Sequence, residues 1–171
     1  MTPDDTPLSV ESAAPRQGTP AHVVAFCADA GSALSPILST LAAQGARITT
    51  VALRHLPLEW FDNYATSYDI ALVDADALGD KVDMIDFGMR LRRFAPELPV
   101  IMLSARIAAN DTTTERMAFC DVTLRLPVAE VTLFESLSIA LENHAYWRDS
   151  RFESRLLAPR NRPRPPPPPA A

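Results

Sequence analysis

The sequence predicts an α/β domain: a doubly wound, five-stranded parallel sheet with helices on both faces. Three observations carry that expectation. Short, continuously apolar runs alternate with segments of helical period, the alternation repeats five times, and most of the prolines lie outside it. Strands covered on both faces need no polar residue at every second position, so apolar runs of four or five indicate a buried parallel sheet. Of the 16 prolines, four fall within residues 1–20 and seven within 159–169. The chain therefore divides into residues 1–20, expected to be disordered, a folded domain over 21–147, and an Arg/Pro-rich tail over 148–171. The tail is expected to be helical to about residue 157 and disordered beyond it.

Taken in order, His22 to Cys27 is an apolar run that stops at Ala28-Asp29, the pattern of a buried strand. Ser32 to Gln44 carries Leu34, Ile37, Leu38 and Leu41 at helical spacing, with Pro36 in the first turn and Gly45 just past the end. Arg47 to Leu53 is rich in β-branched residues and reads as a second strand. Leu58 to Ser67 reads as a short helix with Trp60, Phe61 and Tyr64 on one side. The third strand is Asp69-Ile-Ala-Leu-Val-Asp74, four apolar residues bracketed by acids. Asp83 is the expected cap of a helix running to about Phe94, with Met84, Phe87, Leu91 and Phe94 on its apolar face. Pro99 to Ser104 is a fourth strand that ends in a hydroxyl. Residues 111–119 read as a weaker helix and Val122 to Leu126 as the fifth strand. Val131 to Trp147 reads as an amphipathic helix, with Val131, Phe134, Leu137 or Ser138, and Leu141 facing inward. Continued through Phe152 and Leu156, it would carry an apolar stripe suited to a partner or a second copy.

Composition excludes several functions. Of 16 basic side chains only Lys81 is a lysine, so a P-loop Gly-Lys-Ser/Thr is absent and any lysine chemistry must fall on that residue. From Arg148 onward six arginines face Asp149 and Glu153, so a tail of +4 follows a body of −9, and the chain as a whole carries −5. The acidic body argues against nucleic-acid binding, which needs positive surface. Cys27 and Cys120 lie in apolar contexts without metal-ligand spacing, which suits buried, reduced thiols in a cytoplasmic protein. No apolar run is long enough to cross a membrane, and residues 1–20 lack the apolar core of a signal peptide.

In open α/β sheets, ligands bind beyond the carboxyl ends of the strands. Here those ends carry Asp29, Asp74, Ser104 and the Leu126-Pro127 pair. Two carboxylates and a hydroxyl at one sheet edge suit a hard cation such as Mg2+. Asp74 would sit at its centre, with Asp29 as second ligand and the Asp76 carbonyl as third. A carboxylate so placed can also attack an activated phosphate and form an acyl phosphate. The plainer alternative is a set of polar strand terminators that hold no metal.

Asp29 after strand one, Asp74 closing strand three, Ser104 closing strand four and Pro127 after strand five together resemble the CheY-like receiver domain of two-component response regulators, over about residues 21–147. The resemblance implies a flavodoxin-like strand order, 2-1-3-4-5. It implies that Asp74 accepts a phosphoryl group, that Asp29 helps to hold Mg2+, and that Ser104 is the switch hydroxyl. The sequence also departs from the family. Ala28 replaces the first member of the acidic pair, Leu126 stands where a lysine is expected, and Thr123 replaces the switch aromatic. Leu78 stands in place of a proline, and Phe119 in place of a glycine. Lys81 lies in the loop after strand three, where Asp80 and Asp83 suggest a solvated ion pair.

The reading is therefore a degenerate, stand-alone receiver of bacterial signal transduction. It would bind a partner protein, with Mg2+ weak at most and phosphorylation of Asp74 left open. The partner would be a histidine kinase, a downstream target or a second copy, and no enzymatic activity is expected. The alternatives are a working phosphoacceptor in a histidine-kinase phosphorelay, or a small Mg2+-dependent flavodoxin-like enzyme. The five glycines are isolated and form no phosphate-binding loop, which disfavours the enzyme. The terminal Pro/Arg run reads as extended polyproline.

Overall fold

Five short strands form one parallel sheet in the order β2-β1-β3-β4-β5, as the sequence leads one to expect. The structure is a computed structural model that describes residues 19–28, 32–53 and 58–157, with side chains for all of these except Trp60 and residues 154–157. The expected disorder of the N-terminal segment and of the tail beyond 157 lies outside the described residues, apart from Thr19 and Pro20. The strands are β1 (His22–Cys27), β2 (Arg47–Ala52), β3 (Ile70–Asp74), β4 (Val100–Ser104) and β5 (Val122–Arg125). The helices are α1 (Ser35–Ala43), α2 (Leu58–Phe61), α3 (Lys81–Phe94) and α4 (Glu130–Leu157). Among the described residues, no helix is long and apolar enough to cross a membrane.

The two-residue period of the strands divides the apolar side chains between two cores. Ile70, Leu72, Ile101 and Leu103 face Leu34, Ile37 and Leu41 of the α1 region and Leu133 and Leu137 of α4. Ala71, Val73, Val100 and Met102 face Phe61 of α2 and Met84, Phe87 and Leu91 of α3. Phe26 meets Phe61 and Phe87 edge-on at centroid distances of 5.3 and 5.5 Å. Such contacts add about 0.5–1.5 kcal/mol each beyond area burial. Both cysteines are buried thiols, and burial pushes the Cys120 thiol up to about 11.

Four expectations need correction. Helix α3 is capped by Asp80 rather than Asp83. The Asp80 carboxylate accepts from the backbone of Val82 and Asp83 at 2.7 and 3.0 Å, and Asp83 returns the bond to the Asp80 N–H at 3.1 Å. This capping box satisfies N–H groups that the first helical turn leaves open. Gly79 enters it at φ +122°, where a Cβ would strike the Asp83 carboxylate. Second, the Leu58–Ser67 segment is one turn of α-helix followed by a separate 3-10 turn at Ala65–Ser67, and Tyr64 is exposed.

Third, no α-helix covers 111–119. The Asp111 carboxylate accepts from the Thr113 N–H and hydroxyl at 3.0 and 2.7 Å, and only a 3-10 turn follows at Thr114–Arg116. A short polar side chain that captures nearby backbone competes with helix, and three successive threonines add stiff β-branched residues. Instead, Asp111 forms an antiparallel bridge to Thr123, with bonds of 2.8 Å in both directions. The bridge covers the outer edge of β5, which would otherwise present unpaired backbone groups.

Fourth, the inward face of α4 is only in part the expected one: Leu137 is buried and Phe134 packs against the core, but the face is rotated away from Val131 and Leu141. Leu133, Ser136, Leu137, Ala140 and His144 are buried, whereas Val131 and Leu141 are exposed. Two polar residues on the buried stripe shift the apparent apolar face. At 28 residues, α4 is about 42 Å long and runs ten residues beyond Trp147.

Candidate functional site

The carboxyl edge of the sheet brings Asp74, Asp76 and Ser104 together because β3 and β4 are register-paired to their last residues, with Asp74 beside Leu103. Asp74 ends β3 and caps the 3-10 turn Ala75–Ala77, accepting from the Ala77 N–H at 3.3 Å. Its second oxygen accepts from the Ser32 hydroxyl at 3.0 Å. Ser32 in turn accepts from the Leu34 N–H at 3.1 Å, which ties the entry of α1 to β3. Only 4% of Asp74 remains exposed. Sequence reasoning missed Ser32; a serine just before a helix was the available signal, but it points to a cap rather than to a long-range partner.

Ser104 is fully engaged, and not by Asp74. Its hydroxyl donates to Asp76 Oδ1 at 2.5 Å and accepts from the Arg106 N–H at 3.0 Å. The other Asp76 oxygen accepts from the Ala105 N–H at 2.7 Å. Arg106 completes the cluster: its Nε donates to Asp76 Oδ1 at 2.9 Å, and its terminal nitrogen reaches the carbonyls of Gly79 and Asp76. The guanidinium thus staples the loop after β3 to the end of β4. A hydroxyl has one proton to donate, so Ser104 cannot turn toward Asp74 without breaking its bond to Asp76. Arg106 was not anticipated from the sequence, because an arginine in a loop usually reads as solvated surface.

Burial works to raise the Asp76 pKa, but the bonds from Ser104, Ala105 and Arg106 outweigh it and hold the carboxyl below its usual value of 3.8. A depressed folded-state value means that the stabilisation is present above the unfolded value and is lost as pH falls through the folded one. Asp76→Asn is therefore expected to flatten the acid limb of stability below about pH 4. Thermal melts of both proteins across that limb check it. The Asp76–Arg106 pair is partly exposed, so its effect at neutral pH should stay below about 1 kcal/mol.

The positions that depart from the receiver pattern are equally defined. Leu126 packs into the core shared by α1 and α4 and offers no charge, and its bond to Pro127 is cis. Thr123 is buried beneath the Asp111 bridge, within 3.4 Å of an Arg116 nitrogen and 3.5 Å of Cys120 Sγ. Ala28 is exposed, and Asp29 lies outside the described residues. Arg125 points outward and donates to the Ala108 carbonyl at 3.1 Å. The expected ion pair of Lys81 with Asp80 or Asp83 is absent among the described residues, where both carboxylates take part in the capping box. Lys81 instead borders a cleft of about 400 Å³ that Ser104, Arg106 and Arg116 also line.

Asp29, the expected second Mg2+ ligand, lies outside the described residues. Among the described residues, no three His, Cys, Asp or Glu side chains come together to hold a metal. The Asp76 carbonyl, the expected third ligand, accepts from Arg106 at 3.4 Å, and the same guanidinium pairs with the Asp76 carboxylate.

The 2-1-3-4-5 sheet with its covering helices has counterparts among solved structures. The chain is similar to a response regulator receiver domain from Clostridium thermocellum, with TM-score 0.56 and 19% identity over 74% of this chain and 98% of that one. The fold is that of a response-regulator receiver domain. The chain is also similar to the signal receiver domain of a modulated diguanylate cyclase from Desulfovibrio desulfuricans, at TM-score 0.52 and 24% identity over 74% of this chain and 97% of that one. A putative pilus assembly-related protein from Burkholderia pseudomallei matches at TM-score 0.55 and 20% identity, over 75% of this chain and 93% of that one. No family model matches the chain, and no curated protein matches its sequence.

Proposed function

We propose that this chain is a receiver-fold signalling module of a bacterial two-component type that acts by binding a partner protein, without an enzymatic reaction of its own. The observation that carries the reading is the engagement of Ser104 by Asp76 and Arg106. A phosphoryl group on Asp74 would find the hydroxyl already donating elsewhere, a leucine at the position of the expected lysine, and a buried threonine in place of a mobile aromatic. Each charge-assisted hydrogen bond that a lysine would supply is worth about 1.5–3 kcal/mol, so its loss removes much of what would couple phosphorylation to movement. A fold whose switch is uncoupled in this way retains its surfaces, and surfaces bind partners.

The phosphoacceptor reading has one observation in its favour: Asp74 remains at the carboxyl end of β3, on the strand next to Ser104. Treatment with acetyl phosphate and Mg2+, read by intact mass, separates the two. We expect no phosphoryl mass to accumulate. A phosphoryl adduct that vanishes in Asp74→Ala would establish the phosphoacceptor instead, and turnover of a phosphate ester would establish an enzyme.

A further inference from the structure

A groove of about 720 Å³ opens at the opposite edge of the sheet, between the end of α3 and the overhang of α4. Four arginines line it, Arg92, Arg93, Arg148 and Arg151, against Glu97 and Asp149, in a chain of net charge −5. Two of these cations are already matched. Arg92 lies 2.6 Å from the buried Asp121, and Arg148 lies 2.8 Å from Glu97. The other two are exposed and face rings, with Arg151 over Trp147 at 4.6 Å and Arg93 over Phe94 at 5.8 Å. Neither has a carboxylate within ion-pair distance among the described residues. The groove is also apolar: Met89 and Phe152 line it while 55% and 65% exposed. At its base Arg92 is 97% buried, yet its Nε–H has no hydrogen-bond partner.

We infer that this groove docks an acidic peptide segment of a partner protein, one that carries an aromatic or large apolar side chain. Carboxylates meet the unmatched guanidiniums of Arg93 and Arg151, and the apolar side chain covers Met89, Trp147 and Phe152. Complementary charge of this kind sets specificity and the rate of encounter, while the apolar anchor supplies most of the affinity. A nucleic acid fits less well, because Glu97 and Asp149 share the lining and the rest of the body is acidic. The inference rests on the partner-binding reading and says where that partner sits. The phosphodonor experiment tests the edge at Asp74, so the two can fail separately.

The test is fluorescence anisotropy of the full chain with a labelled peptide of alternating glutamate and phenylalanine. We expect binding that weakens with added salt, and that falls by about tenfold or more in the Arg93→Glu, Arg151→Glu double variant. Both residues are exposed, so the fold should tolerate the change. The Arg93→Gln, Arg151→Gln pair should weaken binding in the same direction without adding negative charge beside Glu97. Four results would overturn the inference: equal binding by a glutamate–serine peptide, affinity unchanged in both double variants, tighter binding of a single-stranded oligonucleotide, or self-association that the double variant abolishes. The last would mean that the groove takes a second copy of this chain.

Discussion

Asp121→Ala is expected to destabilise the protein by about 3–5 kcal/mol, the usual cost of removing one partner of a buried ion pair. Asp121 is fully buried. Its Oδ1 accepts from Arg92 at 2.6 Å and its Oδ2 from the Val100 N–H at 2.7 Å. It therefore fixes both the end of α3 and the start of β4. Arg92 is 3% exposed, so the substitution leaves a buried guanidinium without its carboxylate, held only by the Leu98 carbonyl and His144, and a strand N–H with nothing to bond. His144 does not replace the lost acceptor. The Arg92 nitrogen 2.7 Å from His144 Nδ1 can only donate, so Nδ1 accepts and the ring proton belongs on Nε2. In that tautomer the 3.3 Å approach of Nδ1 to Asp121 is a contact without a hydrogen bond. Urea denaturation measures the loss. A change below about 1 kcal/mol, the range of exposed pairs, would mean that the network is solvated.

Gly88→Ala should destabilise by about 1–3 kcal/mol even though alanine is the better helix former. Alanine gains about 1 kcal/mol over glycine within a helix. Here its Cβ would lie 2.5 Å from the Phe119 carbonyl oxygen and 2.9 Å from the Phe119 Cβ. A backbone oxygen cannot rotate away, so α3 or the 105–121 segment must move, and the overlap outweighs the gain in propensity. Phe119 stands where the receiver pattern expects a glycine. The residue without a side chain at that contact is Gly88 on α3. Thermal melts of the single variant check this, and a raised melting temperature would show that the segment is loosely packed.

The sheet was legible because each strand is a short apolar run with a polar stop, and such runs have few other places to go. Asp74 and Ser104 were legible for the same reason, as the stops themselves. What escaped the sequence shares a different cause. Arg92, Asp121 and His144 are charged or polar residues that buried partners satisfy, and one chain read alone does not pair Arg92 with a residue 29 positions away. Arg106 and Ser32 are the same case at the other edge, each bonded across about 30 or 40 positions. The helix expected over 111–119 failed because a local side-chain bond at Asp111 won over a weak apolar period. The inward face of α4 was right at Phe134 and Leu137 but wrong at Val131 and Leu141, because His144 and Ser136 occupy part of it.

That buried bonding governs the functional reading as well. On the proposed reading the bond from Ser104 to Asp76 keeps the hydroxyl from answering any change at Asp74, and the backbone of that loop reports on it directly. The most direct measurement is a two-dimensional amide spectrum of the labelled full chain before and after acetyl phosphate with Mg2+. If Ser104 stays bonded to Asp76, the resonances of residues 104–108 and of Thr123 will not move. Phosphodonor-dependent shifts at Ser104 and Thr123 that Asp74→Ala abolishes would contradict the proposal and make this a functioning receiver switch.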